Sequence, residues 1–334
     1  MQESAYHQVT NYPNMEWNSE PVEAKIGINF KNSEILYLAL SHRSYAQQIS
    51  EPDNNNERLE FLGEAILNVV AADYLYHHCP YLEVGNLSAL RDKLLERERL
   101  TKLWFQLGLG EAYPFLGLAE QRHRLRQQPN NPFESGFEAL VGAIHLDRGF
   151  SQTRNWLVKN LIAPLLERHL KDLKERPSPN KQLKFLGDAL LKAIASDYLY
   201  RNLPYVSERQ LIQLYKEIVS NERQSEYLSQ LTPEDLAGFN LEQDIIRVKS
   251  FKVLLGAIYV ECNTLEERRG FSKTSEWFSK CFIDDDEILR KAIALLLEDG
   301  KPQKWIIRHV MGYESKDYNE GRDRFNAVIE GQKT

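Results

Sequence analysis

The chain has 334 residues, 42% hydrophobic and 27% charged, with a formal net charge of −6. That composition suits a globular protein of two or three domains and excludes wholesale disorder. No run of 18 apolar residues occurs, which excludes a membrane-spanning helix. The acidic balance excludes nucleic-acid binding by overall charge, so any such contact needs a local basic patch.

Taken in order, the opening MQESAYHQVTNYPNMEWNSE has no basic stretch leading into an apolar run. The expectation is an extension (1–24) on a cytoplasmic protein without a secretory leader. Cys79, Cys262 and Cys281 are too scattered for a disulfide framework or a zinc site and read as reduced thiols. Ser33–Ser44 holds a helical run followed by SHRS. Residues 56–82 (NERLEFLGEAILNVVAADYLYHHCPYL) return as 180–206 (NKQLKFLGDALLKAIASDYLYRNLPYV), with 14 of 27 positions identical. EALVGAIHLD (138–147) likewise returns as KVLLGAIYVE (252–261). A period this long fits two copies of one domain rather than a solenoid.

Leu59, Leu62, Ile66, Leu67 and Val70 recur at helical spacing, as do apolar residues over 88–107 and 133–147. The predicted class is all-α, with repeated domains over 25–170 and 180–283. The proline-bearing ERPSPN places a linker at 171–179. The tail, 284–334, reads as three short helices, a small helix-turn-helix-like unit. Trp305, Ile306, Ile307 and Val310 are its expected core.

Glu57, Glu60 and Glu64 stand at i, i+3 and i+7 and share one helix face, with Glu138 as a further acid on an apolar helix. Such a stripe is either a solvated acidic face or a cluster of oxygen ligands for a hard divalent cation.

NERLEFLGEAIL resembles the signature segment of ribonuclease III, SHRS resembles that family's THRS, and FEALVGAIHLD resembles its ETLIGAIYLD-like segment. The resemblance implies an all-helical nuclease domain that pairs with a second one and cuts double-stranded RNA with Mg²⁺ or Mn²⁺. It implies metal ligands at Glu60, Glu64 and Glu138, with Glu57 as a further catalytic acid. Glu64 and Ser135 both stand where the family has aspartate. A serine hydroxyl is a poor Mg²⁺ ligand. Glu134, one helical position away, is expected to point elsewhere.

In the second copy the matching positions are Lys181, Lys184, Lys249 and Lys252, and only Asp188 stays acidic. No cation site survives that reversal. One reading pairs Lys184 with Asp188 at i,i+4 and makes the lysines internal replacements for metal charge. The other faces them towards RNA phosphates. Arg122, Arg124 and Arg126, in a loop longer in the first copy, are further expected RNA contacts. Two such domains imply a monomer with an internal pseudo-dimer.

The expected function is a Mg²⁺-dependent endoribonuclease on double-stranded or structured RNA, with one centre, weakened, in the first copy. The alternative is a non-catalytic RNA-binding or ribonucleoprotein-scaffold protein that keeps the fold. The tail's expected partner is DNA or another protein, with no membrane role.

Overall fold

A computed structural model describes residues 17–110, 112–124, 132–166, 178–247, 249–263 and 269–331. Its described residues are helical, without named strands; one parallel bridge joins Ser41 to Phe115. The described residues form two compact units, one within 17–193 and 239–274, the other within 194–238 and 275–331.

In the first unit, α1 (Glu20–Ile26), α2 (Ser33–Leu40) and α3 (Arg43–Gln48) lead into the long α4 (Glu57–His78). Then come α5 (Val84–Leu94), α6 (Arg97–Gln106), α7 (Leu118–Arg124), α8 (Pro132–Arg148), α9 (Phe150–Leu157) and α10 (Ala163–Leu166). The apolar periodicity of α4 is core: Leu59, Leu62, Ile66, Leu67 and Val70 are all buried. SHRS proves to be a structural clamp. The His42 side chain accepts from the Ser44 amide, while Ser44 Oγ accepts from the Gly117 amide at 3.0 Å.

The centre of this unit is the crossing of α4 and α8, where two backbones touch. A Cβ on Gly63 would lie 1.7 Å from the Glu138 carbonyl oxygen, and one on Gly142 would lie 2.4 Å from that of Leu59. Only glycine permits such an approach. The same crossing recurs between α11 (Pro179–Asn202) and α16 (Phe251–Cys262). There a Cβ on Gly187 would lie 1.7 Å from the Lys252 carbonyl, and one on Gly256 2.4 Å from that of Leu183. The sequence repeat is thus a repeat of geometry. Short α12 (Glu208–Ile218), α13 (Asn221–Gln230), α14 (Pro233–Leu236) and α15 (Gln243–Arg247) lie between those two helices in sequence.

The two copies meet inside the first unit. Gln182 Nε2 donates to the carbonyls of Pro80 and Leu82, each at 3.0 Å. Phe271 stacks on Phe150 with ring centroids 4.3 Å apart. Tyr259 of the second copy donates its hydroxyl to buried Asp73 of the first at 2.9 Å. Arg154 Nε also contacts Asp73, at 2.5 Å, and His77 Nδ1 lies 3.2 Å away. The expected pairing of copies within one chain is therefore built from specific hydrogen bonds as well as apolar faces.

Asp73 imposes a pH signature. Despite burial, hydrogen bonding from His77 and the Arg154 charge hold its carboxyl below the ordinary range, while the Asp73 hydrogen bond raises the His77 imidazole. The Asp73 contribution to stability is present above the unfolded carboxylate value of about 3.9 and fades as pH falls through its lower folded value. The His77 contribution is full below about 6.5 and fades as pH rises through its raised folded value. Tyr259→Phe should cost about 1–3 kcal/mol, the usual penalty when a buried acceptor loses a donor. Urea unfolding from pH 3 to 9 checks both; Asp73→Asn should flatten the acid limb.

In the second unit, the tail folds as α18 (Asp285–Glu298), α19 (Gln303–His309) and α20 (Tyr318–Glu330), after α17 (Gly270–Phe282). The three helices expected there are present. Ile306 and Ile307 are fully buried, whereas Trp305 and Val310 are only half-buried. The tail docks on the second copy's helices through polar contacts. Gln210 Nε2 donates to Asp299 Oδ2 at 2.7 Å and to the Leu295 carbonyl at 3.1 Å. Arg223 pairs with Glu287 at 2.5 Å, Lys291 pairs with Glu217, and Tyr198 bonds Asp285. No helix among the described residues is long and apolar enough to cross a membrane.

Candidate active site

The α4–α8 crossing decides where the acids stand. Gly63 seats directly on the Glu138 backbone, so Glu60 and Glu64, on either side of Gly63 in sequence, are brought beside Glu138. Glu60 and Glu138 are half-buried and Glu64 is exposed. Burial pushes Glu138 up to about 9, with the charges of Glu64, Glu60 and Glu134 adding to the shift and Arg97 opposing it. Burial also raises Glu60, the Ser135 hydrogen bond pulls it back, and Glu57, Glu134 and Glu64 push it further up. These carboxylates therefore feel one another across the crossing, without enough positive charge to balance them.

Glu57 is turned partly aside: its Oε1 lies 3.3 Å from a guanidinium nitrogen of Arg43. Ser135 does not face an empty position. Its hydroxyl donates to Glu60 Oε1 at 2.8 Å and orients that carboxylate. Glu134 corrects the sequence expectation. It stands at i,i+4 from Glu138, about 40° apart around the helix, and so shares its face. Comparison with Ser135 alone hid this. Glu134 forms a 2.5 Å ion pair with Arg97 Nε, and its side chain is only 18% exposed. Arg97, at the start of α6, was missed because nothing local in sequence connects it to this site.

Among the described residues, no group of three or more His, Cys, Asp and Glu side chains is already disposed to hold a metal ion. The donor chemistry nevertheless suits a hard cation, since Glu60, Glu64 and Glu138 offer only carboxylate oxygens. Burial first, and then the neighbouring carboxylates, disfavour the ionised forms of Glu60 and Glu138, and a cation held there would offset both effects.

At the corresponding place in the second copy, Asp188 lies 2.6 Å from Lys252 Nζ and 2.8 Å from Lys192 Nζ. Hydrogen bonds from these two lysines hold its carboxyl below the ordinary range against the effect of burial. The expected Lys184–Asp188 pair is replaced by these two. Lys184 is exposed, as are Lys181 and Lys249. Lys252 is thus an internal counter-charge, whereas the three exposed lysines remain open to solvent. Arg122 and Arg124 close α7, but their side chains lie outside the described residues, as does all of Arg126.

A family profile described as Ribonuclease-III-like matches residues 32–165, and one described as Ribonuclease III domain matches 181–263. The ribonuclease 3 of Protochlamydia amoebophila is 34% identical over 181 residues, covering 54% of this chain and 68% of that protein. The chain belongs to the ribonuclease III family.

The ribonuclease 3 of a Nitratiruptor species is 38% identical over 142 residues, 42% of this chain and 60% of that protein. This chain thus spans about 60% of the length of that ribonuclease III relative. The solved nuclease domain of Campylobacter jejuni ribonuclease III is 33% identical, covers 43% of this chain and 98% of that one, and has a TM-score of 0.38. Both copies of the repeat fall within ribonuclease III matches, so the acidic first copy and the lysine-bearing second copy are two versions of one domain.

Proposed function

We propose that this chain is a Mg²⁺-dependent endoribonuclease acting on double-stranded or structured RNA, with a single centre in its first copy. The observation that supports it is the set of carboxylates gathered at the α4–α8 crossing, where burial and then the charges of Glu64, Glu60 and Glu134 push Glu138 up to about 9. Glu60, Glu64 and Glu138 would hold the cation, and Mn²⁺ has the same ligand preference. Bound there, it would supply Lewis-acid stabilisation of the attacked phosphodiester and activate water. The chain's own contributions are orientation of Glu60 by the Ser135 hydroxyl and restraint of Glu57 by Arg43.

The second copy, with Asp188 neutralised by Lys192 and Lys252, does not cut. One centre should release nicked duplex rather than a staggered double cut. The test is a long end-labelled duplex RNA with Mg²⁺ or Mn²⁺, resolved on native and denaturing gels. Breaks seen only under denaturing conditions support the reading. Intact RNA with tight binding would favour the scaffold alternative, which the neutral Ser135 at a ligand position motivates.

The exposed lysines give this reading a binding surface. Neutralising Lys181, Lys184 and Lys249 together should weaken RNA affinity and flatten the log–log salt dependence by roughly 0.7–0.9 for each phosphate no longer neutralised. Lys252→Met should instead lower the melting temperature and leave that slope unchanged, because Lys252 is committed to Asp188. An unchanged slope in the triple variant would rule out a phosphate-binding role for these lysines.

A further inference from the structure

We propose that Glu134 supplies the carboxylate that position 135 lacks, and that Arg97 is its tethered counter-ion, which a divalent cation displaces. The proposal rests on the reading of the α4–α8 crossing as a cation site. Its geometry is independent of that reading.

Glu134 and Glu138 are one helical turn apart on the same face of α8. The hydroxyl of Ser135 reaches Glu60 at 2.8 Å, so the first turn of α8 lies against the acidic stripe of α4. On that turn the Glu134 carboxylate is largely shielded from solvent, whereas its partner Arg97 is 60% exposed. Of the pair, the anion is the shielded member and the cation is the one at the rim. Glu134 and Arg97 act on Glu138 with opposite signs, which places both within electrostatic reach of it.

The second copy offers an internal comparison. There the surviving acid, Asp188, is answered by Lys252 at 2.6 Å. Both copies place a tethered cation beside their acidic residue. In the second copy that cation sits at the position of a former ligand, where no metal can replace it. In the first it comes from α6, outside the stripe, and leaves the ligand positions open. Position 135 is therefore divided between two neighbours: Ser135 orients Glu60 and Glu134 brings the charge.

Mn²⁺ titration of the full chain by calorimetry, with melting temperatures recorded alongside, tests this without recourse to activity. Glu134→Gln should weaken Mn²⁺ binding at least tenfold. Ser135→Ala should change it less than threefold. Arg97→Gln should strengthen it severalfold, because a competing cation is gone, and Arg97→Lys should stay near the parent. Should Arg97→Gln fail to fold, Arg97→Lys and Glu134→Gln still decide the matter. Unchanged affinity in Glu134→Gln beside abolished binding in Glu138→Gln would overturn the role of Glu134 and leave the proposed function standing. Unchanged affinity in both would overturn the cation site itself. Weaker binding in Arg97→Gln would make Arg97 a clamp on Glu134 and overturn the displacement.

Discussion

Glutamine at position 138 is expected to reduce RNA cleavage by about a hundredfold or more, because metal stabilisation of a phosphodiester transition state is worth several kcal/mol. The same change should leave the fold as stable as before, or more so. Glu138 is pushed up to about 9, so near neutral pH the metal-free folded chain keeps a proton that the unfolded chain releases. The unfolded state then binds fewer protons, and the parent loses stability as pH rises from about 4.3 towards 9. Glutamine is neutral in both states and removes that dependence. Cleavage rates with Mg²⁺, set beside melting curves in chelator at pH 5 and pH 8, separate the two effects. Parental cleavage by both Glu138→Gln and Glu60→Gln would end the assignment of the centre.

Alanine at Gly63 should be severely damaging for so small a substitution. Its methyl would stand 1.7 Å from a backbone oxygen, where no side chain can yield, so α4 and α8 must separate. A loss of about 3 kcal/mol, or failure to fold, is expected from overpacking of this kind. Gly187→Ala should behave alike at the second crossing, where the distance is also 1.7 Å. Gly85→Ala is the control: nothing lies within 4 Å of its added Cβ, and it should stay within about 1 kcal/mol of the parent. Equal stability of Gly63→Ala and Gly85→Ala would contradict the backbone contact.

The helices were legible in sequence because their apolar residues repeat at helical spacing and are buried accordingly, as Leu59, Leu62, Ile66 and Val70 show. The repeat was legible because both glycine crossings need the same residues around them. The carboxylate stripe was legible for the same local reason, being set by spacing along one helix. What stayed hidden depends on contacts far apart in sequence. Nothing near Asp73 announces Tyr259, which lies 186 residues away. Arg97 is similarly invisible from Glu134. At Asp188, helical spacing allowed Lys184 and Lys192 equally, and the partner across the crossing, Lys252, settled neither. The face that Glu134 occupies follows from its angle to Glu138, which its angle to Ser135 conceals.

The glycine crossing constrains backbone and leaves the charged side chains beside it unconstrained. Three glutamates and a serine of the first copy become lysines at the matching positions of the second, yet the 1.7 Å and 2.4 Å approaches are identical in both halves. Architecture and chemistry were thereby inherited separately. A half without the acids need not be a decaying one: it can serve as the permanent mate of the half that still carries them.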